Sequence, residues 1–294
     1  MNNKINNTEY WLLQTQLKHK LLRTITQYLK NDSNNHLVDL SFIKKQFNIN
    51  IEEKNANKKN IISRFELEKI LSKPFMHPAL LAFEYLGNIQ ILNQPIVAII
   101  GSRRPTYYGR QQTHHFAKTL AEHGMTIVSG GALGIDAIAN AVGHEYGSSC
   151  AVIGSGIEKP YPASNIKLFH SLTASNRGLV LSEFNSEDIA QKWNFPRRNI
   201  SIAALADFIL VIEAKITSGS LITAHAALDL GIDVGALPGD INRANSCGTI
   251  ELIKNGAFCI KTPYDVIERV QYITKTYRKN DLFSNKGLYG ERIF

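Results

Sequence analysis

Cysteine is scarce. Cys150, Cys247 and Cys259 are the only three in 294 residues, with no C-x-x-C pair. An odd number at such wide spacing argues against a disulfide framework or a zinc site. They read as small buried hydrophobes. Long apolar runs are missing as well: none approaches the roughly 18 residues of a membrane span. The N-terminus, MNNKINNTEYW, lacks the apolar core of a signal peptide, which predicts a cytoplasmic protein. Several catalytic fingerprints are also absent. There is no G-x-G-x-x-G after the first strand of the α/β part, no G-x-x-x-x-G-K-[ST], no H-E-x-x-H and no G-x-S-x-G. The nine histidines, His114 and His115 included, show no metal-ligand spacing. No metal, cofactor or catalysis is expected.

What the chain does carry is positive charge, a formal +8. Residues 1–95 hold 13 basic and 8 acidic side chains, and residues 271–294 hold 5 and 2, while 96–270 are balanced at 15 of each. Such a balance fits a nucleic-acid partner or merely solubility, and charge alone does not decide. Any anion site in the central part must come from local clustering.

Residues 1–95 read as a small helical N-terminal region. EYWLLQTQLKHKLLRTITQYLK has apolar residues near helical spacing, and LSFIKKQFNI and ISRFELEKILSK read as further helices. NDSNNH and EEKNANKKN are polar connections, and MHPALLAFEYLG leads into the next domain. From Ile96 short apolar runs alternate with helical stretches. The runs are IVAIIG, MTIVSGG, CAVIGSG, LVLSEF, DFILVIEA, DVGALPG and FCIK. This rhythm predicts βαβ units: an α/β, Rossmann-like, doubly wound and mostly parallel sheet over 96–263, inside a domain spanning 96–270. A last helix, PYDVIERVQYITKTYRK, follows, and residues 271–294 hold its end and a tail, SNKGLYGERIF.

In such a sheet ligands bind beyond the carboxyl ends of the strands. The loops predicted there are rich in glycine, serine and arginine: GSRRPT after the first strand, SGGALGID after the second, GSGIEKPYP after the third, FPRRN before the fifth, EAKITSGS after it and PGDINRANSCGT after the sixth. Glycine lets backbone N–H groups cluster around an anion. Ser218-Gly219-Ser220 opens a helix, where serine caps or binds phosphate. Arg103, Arg104, Arg197 and Arg198 can grip phosphate through two parallel hydrogen bonds. Each feature has a plainer reading. Ser129 and Ser220 could only cap helices, Asp136 could only complement a helix dipole, and Arg197 or Arg198 could be structural. Six such loops on one edge favour an anion site built to hold rather than to react.

These motifs, in order, resemble the DNA-processing protein A family (DprA, also called Smf). The matching stretches are VAIIGSRRPTYYG, TIVSGGALGIDAIA, AVIGSGIEKPYPASNIKL, LVLSEF, FPRRNISIAALAD, LVIEAKITSGSLITAHAALDLG and VGALPGD followed by CGTIELIKNGA. The resemblance implies an extended Rossmann fold that binds single-stranded DNA, protects incoming strands during natural transformation, forms a homodimer and helps load the RecA recombinase. Carried over by position, it implies DNA contacts from Gly101, Ser102, Arg103, Arg104 and Thr106, from the Gly130 and Gly131 amides, and from Asn165 and Lys167. It adds Arg197, Arg198 and Asn199, and Ser218, Gly219 and Ser220. Lys167 also reads as an ordinary exposed lysine. The usual G-T-N of the family is replaced by Gly248-Thr249-Ile250, which puts a DNA contact there in doubt.

Tyr107, Tyr108, Tyr161 and Phe195 lie near the loops and are candidates for stacking bases, although Phe195 also reads as a core residue. The alternative class is a nucleotide sensor or a phosphoribohydrolase of the similar lonely-guy fold. That family's P-G-G-x-G-T-x-x-E is broken here, with Asp240 after Pro238-Gly239.

Overall fold

A computed structural model describes residues 7–17, 19–31, 40–48 and 60–284. The stretch of helical spacing near the N-terminus forms two helices, α1 (Asn7–Gln16) and α2 (His19–Asn31), and α3 spans Leu40–Gln46. Leu13, Leu22, Ile25 and Leu29 are buried together with Ile43 and Ile61, so the apolar stripe does pack. The expected NDSNNH and EEKNANKKN connections lie almost wholly outside the described residues, as do residues 285–294 at the C-terminal end of the sequence.

The segment before residue 95 also contributes to the sheet. After β1 (Ile61–Ser63) comes α4 (Arg64–Leu71), capped by the Ser63 hydroxyl, and then β2 (Ala82–Gly87). Both strands join the main sheet antiparallel, β1 to β2 and β2 to β6. The helical expectation for 1–95 holds for α1 to α4 but did not foresee these two strands, and the sheet continues past the expected boundary. AFEYLG was missed because an antiparallel strand needs no crossover helix, so the βαβ rhythm does not announce it. Lys73 fastens this segment further: its ammonium donates to Asp207 and to the Ala206 carbonyl, while Asp207 also accepts from the Ile96 amide at 2.7 Å.

The remaining strands and helices alternate as expected. They are β3 (Ile96–Ile100), α5 (Tyr107–Glu122), β4 (Thr126–Ser129), α6 (Ile135–Tyr146), β5 (Ser148–Ile153), α7 (Ile166–Thr173), β6 (Gly178–Ser182), α8 (Asn194–Leu205), β7 (Phe208–Val211), α9 (Gly219–Asp229), β8 (Asp233–Ala236), α10 (Ala244–Lys254), β9 (Phe258–Cys259) and α11 (Pro263–Ser284). The sheet order is β1-β2-β6-β5-β4-β3-β7-β8-β9, and from β6 to β9 every pairing is parallel. Every residue of β3 is buried. Val97 and Ile99 face the core shared with α5, α6 and α11; Ile96, Ala98 and Ile100 face the core shared with α8 and α9. Continuous apolar runs therefore mark strands covered on both faces. The chain winds outward from β3 to β6, then returns to lay β7 on the other side of β3. That reversal opens a crevice at the carboxyl ends of β3 and β7.

Two local details are testable or corrective. Cys150 is buried in β5, but Cys259 is exposed on the edge strand β9, so only part of the buried-hydrophobe reading of the cysteines holds. At the start of α11, Asp265 accepts from the Lys261 and Thr262 amides at 2.8 and 2.9 Å. The Thr262 bond, then the Lys261 bond, hold its carboxyl below the ordinary value of 3.8. A depressed folded value means that this stabilisation is present above the unfolded value and is lost as pH falls through the folded one. Asp265→Asn is expected to flatten the acid limb of the stability curve slightly and leave stability at neutral pH slightly lower. Chemical denaturation between pH 2 and 7 checks it.

Candidate nucleic-acid interface

The crevice at the β3–β7 reversal is a cleft of about 660 Å³. One wall is the loop after β3. Its Gly101, Ser102, Arg103 and Arg104 all line the cleft. The Ser102 hydroxyl accepts from the Arg104 amide at 3.1 Å, and the Ser102 carbonyl accepts from the Ile135 amide, so the loop folds back onto the start of α6. Gly134 adopts φ +79°, and a Cβ there would meet the Ser102 carbonyl, which accounts for glycine at this position.

The opposite wall is the N-terminus of α9. Ser218 caps it by accepting from the Ser220 amide at 3.2 Å, and the Ser220 hydroxyl donates to the Gly101 carbonyl at 2.8 Å. The positive end of the α9 dipole therefore opens toward the cleft beside the arginine loop. Asn199 joins the walls from below, donating to the Gly219 carbonyl at 3.2 Å and accepting from Arg198.

Four cations surround this space: Arg103, Arg104, Lys192 and Lys215, all exposed and all lining it. Among the described residues none of the four is ion-paired with a carboxylate. Lys192 and Lys215 were not singled out from the sequence, although each stands within a quoted or adjoining motif, QKWNFPRRN and EAKITSGS. Their spacing to the next helix start was the available signal. Phe195 projects into the same cleft, with the Arg103 guanidinium 5.5 Å from its ring centroid and Tyr161 5.9 Å away. Tyr161 is 50% exposed, and Trp193, next to Lys192, is 72% exposed.

Six expected site residues lie elsewhere or are otherwise engaged. Thr106 caps α5, and both its amide and its hydroxyl donate to Glu213. Gly130 does not offer its amide to the cleft, because it and Ala132 hydrogen-bond to the Asp136 carboxylate. The anion in that nest is the protein's own side chain. Gly131, at φ +59°, accepts from Asn165 through its carbonyl at 2.9 Å, so Asn165 is a brace for this loop. Lys167 is exposed but does not line the cleft. Arg197 turns away, donating to the buried Glu183 at 2.6 Å, with Ser201 completing that carboxylate's shell.

Arg198 does reach the cleft wall, yet it is only 4% exposed. Its guanidinium donates to the Gly130 carbonyl and, at 2.6 Å, to the Val152 carbonyl. Burial pulls its pKa down, and the Asp136 charge opposes that pull. Burial likewise pushes the Asp136 carboxyl up against the influence of Arg198 and the two amides. Asp136 and Glu183 thus serve separate arginines, Asp136 facing Arg198 and Glu183 accepting from Arg197. Of the stacking candidates, Tyr161 and Phe195 reach the cleft. Tyr108 instead donates to the Pro238 carbonyl at 3.1 Å, and the Tyr107 hydroxyl accepts from Gln111. The residues of the broken lonely-guy motif do not line the cleft: the Gly248 amide donates to the Ala214 carbonyl and the Thr249 hydroxyl to Ser246.

Comparison with known proteins decides the family. The family model of DNA recombination-mediator protein A matches residues 65–271. The chain belongs to this family. The matched span begins inside α4, so the recombination-mediator family includes the antiparallel β2 within its own unit. Protein Smf of Escherichia coli is 39% identical over 187 residues, which are 63% of this chain and 50% of that protein. DNA processing protein DprA of Bacillus subtilis is 38% identical over 175 residues, 59% of this chain and 58% of that one. The chain thus spans between half and three fifths of these two relatives. The crystal structure of DprA from Streptococcus pneumoniae superposes with a TM-score of 0.75 at 31% identity, covering 90% of this chain and 98% of that one. The DNA processing protein A of Helicobacter pylori, whose structure was described for its single-stranded DNA binding mode, superposes at 0.60 with 32% identity over 72% and 93% of the two chains. Among the described residues no helix is long and apolar enough to cross a membrane, and no cluster of three or more His, Cys, Asp or Glu side chains could hold a metal.

Proposed function

We propose that this recombination-mediator protein holds single-stranded DNA across the cleft, without catalysis. The observation that carries this reading is the set of four exposed cations around one helix N-terminus, none ion-paired among the described residues, with aromatic rings between them. Arg103, Arg104, Lys192 and Lys215 take successive phosphates, assisted by the α9 N-terminus. Tyr161 and Phe195 offer faces on which unpaired bases stack, worth about 1–3 kcal/mol per base. A duplex hides its base faces, so single strands are preferred. The wider role, again proposed, is to protect incoming strands and to load RecA recombinase during natural transformation, acting as a homodimer in the cytoplasm. The single-strand binding described for the Helicobacter pylori relative supports the first part of this reading.

The test is fluorescence anisotropy with labelled oligo-dT, titrated with salt and competed with duplex. If all four cations neutralise phosphates, the log–log salt slope is about −3, since each contact contributes roughly 0.7. Affinity then falls roughly 50-fold between 50 and 200 mM salt. Equal competition by duplex, or no binding at low salt, would overturn the proposal. Calorimetry with free nucleotides, showing tight binding in the absence of any DNA affinity, would turn the reading toward a sensor.

A further inference from the structure

Glu213 stands where β7 ends, only 3% exposed, directly behind the arginine loop. It does not line the cleft. Its carboxylate accepts from the Thr106 amide at 2.9 Å and from the Thr106 hydroxyl. It also faces the side-chain amide of Asn245, at 3.5 Å. The same Asn245 amide donates to the Arg104 carbonyl at 3.1 Å. Asn245 is itself anchored, since its carbonyl accepts from the Ala214 amide at 2.8 Å. One carboxylate thus ties together the end of β7, the start of α5 and the start of α10. The loop carrying Arg103 and Arg104 runs from the end of β3, the strand beside β7, to this start of α5, and Asn245 holds the Arg104 carbonyl.

The neighbouring sequence is fitted to this carboxylate. Gly109, in the first turn of α5, lies directly against this carboxylate, and a Cβ there would displace it, so glycine leaves the carboxylate undisturbed. Gly248 lets α10 approach closely: a Cβ there would lie 2.6 Å from the Ala214 carbonyl. The segment PGDINRANSCGT, whose direct DNA role the sequence put in doubt, thereby gains an indirect one.

We infer that Glu213, with Asn245 as its relay, is a positioning residue that fixes the Arg103–Arg104 loop in its phosphate-binding shape. This rests on the proposed strand binding, but its structural half does not. Elementary electrostatics predicts the opposite sign for function, because deleting a negative charge beside an anion site should tighten binding. In a positioning role, the loss of loop order outweighs the gained charge.

Two measurements on the full chain test this. Without DNA, hydrogen exchange of peptides spanning 101–110 is compared between wild type, Glu213→Ala, Glu213→Gln and Thr106→Val. Exchange at least tenfold faster is expected in Glu213→Ala and clearly faster in Thr106→Val, with Gln, which keeps an accepting oxygen, close to wild type. With oligo-dT, Glu213→Ala is expected to bind at least tenfold more weakly, with a salt slope shallower by up to about 1.4, two contacts' worth. Added to Arg103→Ala/Arg104→Ala it should have little further effect, whereas it should add fully to Lys192→Ala. Should Glu213→Ala fail to fold, Thr106→Val and Asn245→Ala carry the same comparison. Unchanged exchange would overturn the inference, as would tighter binding, full additivity with the arginine variant, or a Gln variant as weak as Ala. If wild type binds no DNA, the proposed function falls, while the exchange result still decides whether Glu213 orders the loop.

Discussion

Replacing both Arg103 and Arg104 with alanine is expected to reduce affinity for oligo-dT by roughly 50-fold at moderate salt and to make the salt slope shallower by about 1.4. Both guanidiniums are exposed on the cleft wall, and among the described residues neither is held by an ion pair. Their removal therefore deletes ligand contacts and leaves no buried group unsatisfied, so the melting temperature should hardly move. Arg103 has a second function that Arg104 lacks. Its guanidinium lies over Phe195, 5.5 Å from the centroid, and keeps that ring against the cleft. The single Arg103→Ala variant should consequently lose more affinity than Arg104→Ala while the two salt slopes change equally. Anisotropy titrations at four salt concentrations, with circular dichroism melts as a control, separate the two effects. A full-affinity double variant would remove this loop from the interface.

Much of the fold was legible because its signals are local. Each parallel strand is a short apolar run, covered on both faces and followed by a helix, and IVAII, TIVS and FILV have no other easy reading. The cleft's position was legible for the same reason: strand ends are marked by glycine and serine, and the topology rule supplies the rest. Two things were hidden. Strand β2 makes its pairings through backbone groups to β1 and β6, and its sequence, AFEYLG, carries no alternation that would mark it. The division of labour among the arginines was hidden too, because identity does not tell direction. Arg103 and Arg104 sit on a loop that faces outward. Arg197 and Arg198, equally adjacent, lie in the first turns of α8 and point inward, one to Glu183 and the other to two carbonyls. Burial of a guanidinium is a property of the assembled layers, and the plainer structural reading of that pair prevails.

Arg198→Leu should accordingly damage stability and not the phosphate count. The substitution leaves the Gly130 and Val152 carbonyls without their donor, each costing about 1–3 kcal/mol when buried. It also leaves the buried Asp136 carboxylate without its opposing charge, and breaking one side of such an arrangement costs about 3–5 kcal/mol in all. Asp136→Asn alone should cost less, because the asparagine oxygen still accepts from the Gly130 and Ala132 amides. Combining the two should cost less than their sum, since the second change removes the charge that the first left stranded. Urea unfolding of the three variants measures this directly. Among molecules that remain folded, the single-strand salt slope of Arg198→Leu should equal that of wild type, in contrast to the arginine-loop variant. A slope reduced by about 0.7 would instead mean that Arg198 leaves its carbonyls to grip a phosphate, and that the cleft floor rearranges when DNA enters.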